Sequence, residues 1–305
     1  MKCECGRKAI IHRHYEGSAL CPRHFILSFE KRIKKTIRRY NMLKSGDRIA
    51  VAISGGADSL SLLNVMHKIV SPRHDMNMFA VCIDEGIKGY RDVTIKRAKR
   101  FCKRLGIELH IASFADTFGR TMDQKVSEVG KENACMYCSI GRRWLLNRTA
   151  RELGATRIAT GHNLNDEAET ILMNWIRGDI ARAARYGAIT DLTLTKTKTK
   201  LLIPKIKPLR ETPENECTLY AKLKKMGTTR RVCPYKSGIR RDVWIFLRKF
   251  EKKHPGTNFS ILHTFDKILP LLREYSESIE GPVMTCDKCG EISAQPVCRR
   301  CQLWP

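Results

Sequence analysis

Between residues 48 and 176, short apolar runs alternate four times with segments of helix length, and this order leaves few folds open. Arg48–Ile53 suits a buried strand, and Met78–Ile83, Ile107–Ala112 and Arg157–Thr160 read as the second, third and fourth strands. Helices are expected through Val70, through Leu105, from near Cys135, and through Ile176. Strand–helix–strand units joined by right-handed crossovers build a doubly wound parallel sheet of the α/β class. Upstream, Phe25, Phe29, Ile33 and Ile37 recur every fourth residue and predict a helix over Phe25–Tyr40 with one apolar stripe. Its other faces are basic (Lys31, Lys34, Lys35, Arg38, Arg39) and suit RNA contact or plain solvation. Downstream, Leu192–Leu202 alternates Thr with Lys196, Lys198 and Lys200, the pattern of an exposed edge strand. Pro213–Met226 and Gly238–Lys253 read as helices, the second stopped by His254-Pro255-Gly256.

A chain of 305 residues has room for about two domains, and 42% hydrophobic residues exclude global disorder. No run of about 18 apolar residues exists to span a membrane, and the start lacks a secretory apolar stretch, so a cytoplasmic location without membrane attachment is expected. Lys and Arg number 57 against 31 Asp and Glu, a net charge of +26. An excess of that size favours a polyanionic partner, nucleic acid foremost. In a reducing compartment the 13 cysteines point to metal binding or chemistry, not disulfides.

Ser54-Gly55-Gly56-Ala57-Asp58-Ser59 closes the first central strand and opens a helix. Glycines let the backbone approach a ligand, and a helix N-terminus offers amides and positive potential to a phosphate. The Gly-Lys-Ser/Thr ending of a Walker A loop is missing. The plainer alternative is a helix cap made by Asp58 or Ser54. The cysteines form three groups. Cys286, Cys289, Cys298 and Cys301 have the spacing of a four-thiolate zinc ribbon, and Cys3, Cys5, Cys21 and His24 form a similar set at the N-terminus. Cys135-Met136-Tyr137-Cys138 opens a helix, and Cys233-Pro234 follows a basic turn at Arg230 and Arg231. Three thiolates could hold three irons of a four-iron cluster and leave the fourth open. A zinc site lacking a ligand, or Cys233 buried as a small apolar residue, are the other readings. Cys82, Cys102 and Cys217 are left as core residues.

Ser-Gly-Gly-x-Asp-Ser resembles the PP-loop of the ATP pyrophosphatases, which split ATP between its α and β phosphates. Together with Cys135-x-x-Cys138, Cys233-Pro234-Tyr235, Cys21-x-x-His24-Phe25, the run Thr160 to Ala168 and Cys298-x-x-Cys301 with Trp304, it resembles the TtuA/NcsA family of tRNA 2-thiouridine synthetases over nearly the whole chain. The resemblance implies an N-terminal zinc module (1–24), a catalytic domain (25–282, with 25–47 a leading basic helix and linker) and a C-terminal zinc ribbon (283–305). It assigns Ser54, Gly55, Gly56, Asp58 and Ser59 to the ATP phosphates, Ile83 and Asp84 to the adenosine, and Gly161 and His162 to closing the nucleotide site. Cys135, Cys138 and Cys233 become ligands of a [4Fe-4S] cluster, and Asp166 an acidic residue near the reacting centre. Mg²⁺ would accompany ATP, and both terminal sets would hold structural Zn²⁺.

The implied reaction is ATP-dependent adenylation of a tRNA uridine at its C2 oxygen, followed by sulfur insertion to give 2-thiouridine. Sulfur would come from free sulfide or a ubiquitin-like sulfur-carrier protein, and a homodimer is implied. The chain departs from the family at three places. Ala57 replaces a loop Lys and removes one phosphate-neutralising charge. Arg142 stands where relatives often carry a catalytic Lys; it keeps the cation but cannot deprotonate. Cys3-x-Cys5 is shorter than Cys-x-x-Cys, which brings His12 or His14 into question as a substitute ligand. A catalytically impaired tRNA-binding zinc protein, or a thiolase acting on cytidine, are the alternative functions.

Overall fold

The computed structural model describes residues 1–190, 201–228, 232–235, 238–279 and 284–305. The chain starts with a hairpin, β1 (Ile11–Arg13) and β2 (Ser18–Leu20), and enters α1 (Pro22–Arg39). That helix begins three residues earlier than its apolar stripe does, because Pro22 at its first turn has φ set for a helix and needs no amide partner. Phe25, Phe29 and Ile33 are fully buried on the expected stripe, each contributing roughly 1.5–3 kcal/mol.

The central sheet follows as β3 (Arg48–Ala52), α2 (Ala57–Val70), β4 (Asn77–Asp84), α3 (Arg91–Leu105) and β5 (Leu109–Ser113). Two short helices, α4 (Phe114–Phe118) and α5 (Met122–Val129), precede the long α6 (Ala134–Glu152). Then come β6 (Arg157–Ala159), α7 (Leu164–Ile176), α8 (Ile180–Ala184), β7 (Ile189–Thr190) and β8 (Lys205–Ile206). The strand order is β5-β4-β3-β6-β8-β7. Five strands are parallel; the edge strand β7 runs antiparallel to β8, a departure from the all-parallel expectation. Order reverses at β3, so the crevice outside the carboxyl ends of β3 and β6 is the topological switch point where ligands bind.

Helices cover both faces, as a doubly wound sheet requires. On one side α1, α2, α3 and α9 (Glu214–Leu223) share a core of Phe29, Leu60, Leu63, Phe101 and Tyr220. On the other, α5 and α6 pack Met122, Val126, Leu145 and Leu146 against Val81 and Ile158. A third layer holds α10 (Ile239–Lys253) and α11 (Thr257–Ile279), both resting on α7. The 23-residue α11 continues through Pro270 and has no counterpart in the sequence reading. The chain closes with β9 (Met284–Thr285), β10 (Ile292–Ser293) and α12 (Arg299–Leu303). The lysine-rich stretch 192–200, Arg230 and Arg231 lie outside the described residues.

The N-terminal module is tied to the core through a buried carboxylate. Glu216 of α9, 1% exposed, accepts from Arg13 at 2.6 Å, from Arg32 at 3.0 Å and from the Tyr15 hydroxyl. A second buried network joins the layers: Glu167 of α7 pairs with Lys207 at 3.0 Å and Arg210 at 3.2 Å, and Arg210 reaches Asp266 of α11 at 2.8 Å.

Candidate nucleotide and metal sites

β3 delivers the loop Ser54–Ser59 into the switch-point crevice. Gly55 has φ +78°, and a Cβ there would sit 2.1 Å from the carbonyl oxygen of Thr94 in α3, so only glycine fits. The loop is braced internally: the Ser54 amide donates to Ser59 Oγ at 3.1 Å, and Ser59 Oγ donates to the Gly56 carbonyl at 3.1 Å. Its carbonyls are held from α3, where Arg91 Nη1 reaches Ser54 O at 3.2 Å and Arg97 Nη1 reaches Gly55 O at 3.0 Å. Gly56 is the N-cap of α2 and no side chain caps that helix, so the role of cap is taken by neither Asp58 nor Ser54. Uncapped first amides beside two serine hydroxyls make an anion site. Gly161, after β6, brings its backbone against the start of α2: a Cβ there would lie 3.1 Å from the Ser59 nitrogen.

Acidic groups gather beside the loop. Asp58 Oδ1 is buried with no hydrogen-bond partner. Burial, reinforced by the Asp166 and Glu214 carboxylates, pushes the Asp58 carboxyl up to about 7. Burial also raises Asp166, which sits in the capping box of α7 with Oδ2 accepting from the Asn163 amide at 3.1 Å. That orphaned carboxylate oxygen lacks a counter-charge, which a hard divalent cation such as Mg²⁺ would supply. At the end of β4, Ile83 is buried with its carbonyl held by Arg91, and Asp84 accepts from the Gly86 amide at 2.9 Å.

The opposite charge gathers around His162, whose Nδ1 lies 3.0 Å from Thr160 Oγ1. Desolvation in the crevice, then Lys207, Arg142, Arg240 and Lys205, hold its pKa down to about 3. Burial lowers Lys205 and Lys207 to about 8, reinforced at Lys205 by Arg143 and Lys207 and opposed at Lys207 by the Glu167 carboxylate. Lys205, Lys207, Arg240, Arg91, Arg97 and Glu85 were all missed from sequence. A capping-type carboxylate is easy to read; a lysine in a two-residue strand is not.

Helix α6 carries Cys135 and Cys138 one turn apart. Cys135 Sγ lies 3.4 Å from the Tyr235 carbonyl, and Tyr235 OH donates to Asp123 Oδ1 at 2.7 Å, which draws the Cys233 segment to this turn. Burial pushes the Cys138 thiol up to about 12, with the Cys233 and Cys135 thiols adding; burial and then Cys135 raise Cys233. The three thiols therefore share one neighbourhood, with Cys233 half-buried against the core formed by α5 and α6. Among the described residues, only the two terminal sets bring their ligand atoms within 4.8 Å of one another, so the central trio is wider than a single-ion site. A set in which each sulfur meets a different iron is of this wider kind. Arg142, one turn beyond Cys138, reaches buried Glu85 at 3.5 Å, and Glu85 also pairs with Arg91.

The terminal sets each place four ligand atoms together. At the N-terminus Cys3 Sγ is 3.2 Å from His24 Nδ1 and Cys5 Sγ is 3.7 Å from Cys21 Sγ. Backbone amides of Cys5 and Cys21 hold the Cys3 thiol down to about 6. Cys5 joins this set despite its short spacing, while His12 and His14 contact each other at 3.4 Å outside it. At the C-terminus the Cys298 amide donates to Cys286 Sγ at 3.2 Å, and the Cys301 amide to Cys298 Sγ at 3.4 Å. Both sets match the thiolate and imidazole donors that tetrahedral zinc prefers. The C-terminal module docks on α6: Trp304 Nε1 donates to the Tyr137 carbonyl at 3.2 Å, its ring stacks on Phe118 at 4.9 Å, and Arg151 pairs with Glu291.

Fold and loop together define a PP-loop protein with a metal-binding type of module at each end. A family model described as a PP-loop domain matches residues 26–229, and one described as the N-terminal LIM domain of the 2-thiouridine synthetase TtuA matches residues 2–26. The chain is 38% identical to the tRNA 2-thiolation protein NcsA of Haloferax volcanii, over 99% of this chain and 98% of that protein. It is 37% identical to cytoplasmic tRNA 2-thiolation protein 1 of Xenopus laevis, over 97% of this chain and 84% of that protein. Among solved structures, the U34-tRNA thiolase NcsA of Methanococcus maripaludis with its [4Fe-4S] cluster superimposes with a TM-score of 0.82 at 33% identity, covering 99% of this chain and 95% of that one. The chain belongs to the TtuA/NcsA family.

Proposed function

We propose that the chain is a cytoplasmic tRNA sulfurtransferase that makes 2-thiouridine and releases AMP and pyrophosphate. The observation that carries this reading is the line of contacts from Arg142, one turn beyond Cys138 on α6, through Glu85 and Arg91 to the carbonyl of Ser54, which joins the thiol-bearing helix to the phosphate loop. Given the name of the archaeal relative, uridine 34 of tRNA is the proposed target.

ATP phosphates lie at the first amides of α2 and at Ser54, Gly55, Gly56 and Ser59, with Ile83, Asp84, Gly161 and His162 around the rest of the nucleotide. Lys205 supplies positive charge from β8, in place of the loop lysine that Ala57 removes, while Lys207 is paired with Glu167. Asp58 with Glu214 can hold Mg²⁺, which neutralises phosphate charge. The uridine O2 attacks the α-phosphorus, the bond to pyrophosphate breaks, and the N3 proton passes to Asp166, whose raised pKa suits a proton acceptor. A sulfide equivalent then adds at C2, and AMP departs with the former O2. Cys135, Cys138 and Cys233 would hold a [4Fe-4S] cluster, which when bound supplies an iron free of protein ligand for that sulfide. Arg142 stays cationic and orients Glu85. Sulfide arrives free or from a ubiquitin-like carrier, the terminal sets hold structural Zn²⁺, and the working form is a homodimer.

Anaerobic reconstitution with iron and sulfide, followed by ATP, sulfide and tRNA, is expected to yield 2-thiouridine by nucleoside mass spectrometry, and Cys135→Ala to yield none. A fully loaded protein that leaves tRNA unmodified, with Cys135→Ala no worse, rejects the reading. Thiocytidine as the product would move the target to cytidine.

A further inference from the structure

Helix α10 is attached along one edge. Val243 and Leu247 pack against Ala168 and Met173 of α7, and most of the remaining circumference is exposed. Its 15 residues hold six Lys and Arg against two acids. Of these acids, Glu251 is engaged by the chain itself, accepting from the amides of Gly256 at 2.7 Å and Asn258 at 2.8 Å. Arg241, Arg248, Lys249 and Lys252 share one exposed flank, since separations of 7, 8 and 11 residues return to the same side of a helix. Among the described residues no carboxylate lies in ion-pair range of Arg241, Lys249 or Lys252, whereas Arg248 reaches Glu214 at 3.4 Å.

The other exposed flank is aromatic. Phe246 and Phe250, 54% and 41% exposed, stack with centroids 5.7 Å apart and planes at 27°. The helix begins at the crevice: Arg240 reaches Glu169 at 3.5 Å and Thr170 Oγ1 at 3.4 Å, about one turn from Asp166. A solvated helix face also carries lysines and i,i+4 aromatic pairs; what sets this one apart is a stacked Phe246–Phe250 pair, extended by His254 at 4.7 Å from Phe250, next to so one-sided a charge. A cationic track beside sequence-tolerant stacking platforms is the chemistry that binds polynucleotide strands.

We propose that the outer face of α10 is a docking surface for RNA, with Arg241, Lys249 and Lys252 on backbone phosphates and Phe246 with Phe250 under an unstacked base. The occupant is the tRNA of the proposed reaction, and in that respect the inference rests on the function proposed above. The helix is about 22 Å long and would lead the strand toward Asp166.

The test compares full-length, metal-loaded wild type with the triple variant Arg241→Gln, Lys249→Gln, Lys252→Gln, titrating tRNA between about 50 and 200 mM salt. The triple variant is expected to bind at least tenfold more weakly at low salt, with a log–log salt slope shallower by about 2 to 3, because each lost phosphate contact removes about 0.9. ATP affinity is expected to stay unchanged, which confirms that the variant is folded. Phe246→Ala with Phe250→Ala is expected to weaken tRNA binding about tenfold with the slope retained. On wild type, bound tRNA is expected to protect Lys249 and Lys252 from acetylation. Wild-type affinity and slope in the triple variant overturn the proposal, as does a shift in its oligomeric state with tRNA binding intact, which would make the face a protein contact. A wild type that binds tRNA through this slope yet never thiolates it supports the surface and rejects the function.

Discussion

Burying a carboxylate costs several kcal/mol unless cations meet it, and Glu85, 3% exposed, meets two, Arg91 and Arg142. Glu85→Gln would leave Arg91 buried without its counter-charge, and a loss of about 3 kcal/mol is expected by urea denaturation. ATP affinity is expected to fall as well, because Arg91 also holds the Ser54 carbonyl; unchanged stability and affinity would show the pair to be idle. Asp58 offers a pH test. Its folded pKa, about 7, lies above the ordinary value of 3.8. The folded chain therefore keeps a proton that the unfolded chain has released, so this group's contribution is full in acid and is lost as pH rises from about 4 to 7. Asp58→Asn removes that slope: in magnesium-free buffer its melting temperature should gain on wild type as pH climbs through this window. A pH-independent difference would contradict the assignment.

The C-terminal module matters to α6 more than its size suggests. A segment with so little core would depend for folding on the zinc proposed for it, and through Trp304 its fold is registered on the Tyr137 carbonyl, between the two central cysteines. Gly141 permits this approach, since a Cβ there would lie 3.2 Å from Trp304 Nε1. Cys298→Ser is expected to speed hydrogen exchange at the amides of the first turn of α6 while leaving α2 protected. Equal protection in both helices would mean that α6 holds its own shape.

At the scale of the molecule, what could be read in advance was whatever is local. β3, β4, β6, α2 and α7 announce themselves through apolar runs and caps, and both terminal ligand sets through close spacing. β8 was hidden because two residues carry no periodicity, and α11 because Pro255-Gly256 and Pro270 mask its pattern. Arg91 and Arg97 look like any cations on a basic helix; only the fold turns them toward loop carbonyls. The same holds for Glu167, Lys207, Arg210 and Asp266, which pair across 40 to 56 positions of the chain and are joined only by the tertiary arrangement.

The seating of Glu216 has a physiological corollary. Three groups from the first 32 residues converge on it, and their placement relies on the fold around Cys3, Cys5, Cys21 and His24. Were the zinc proposed for that set withdrawn, a stranded anion would be left in the interior, and a polypeptide of marginal stability would be handed to proteolysis. Zinc starvation should thus lower how much of this protein a cell contains before it lowers how fast each surviving copy works.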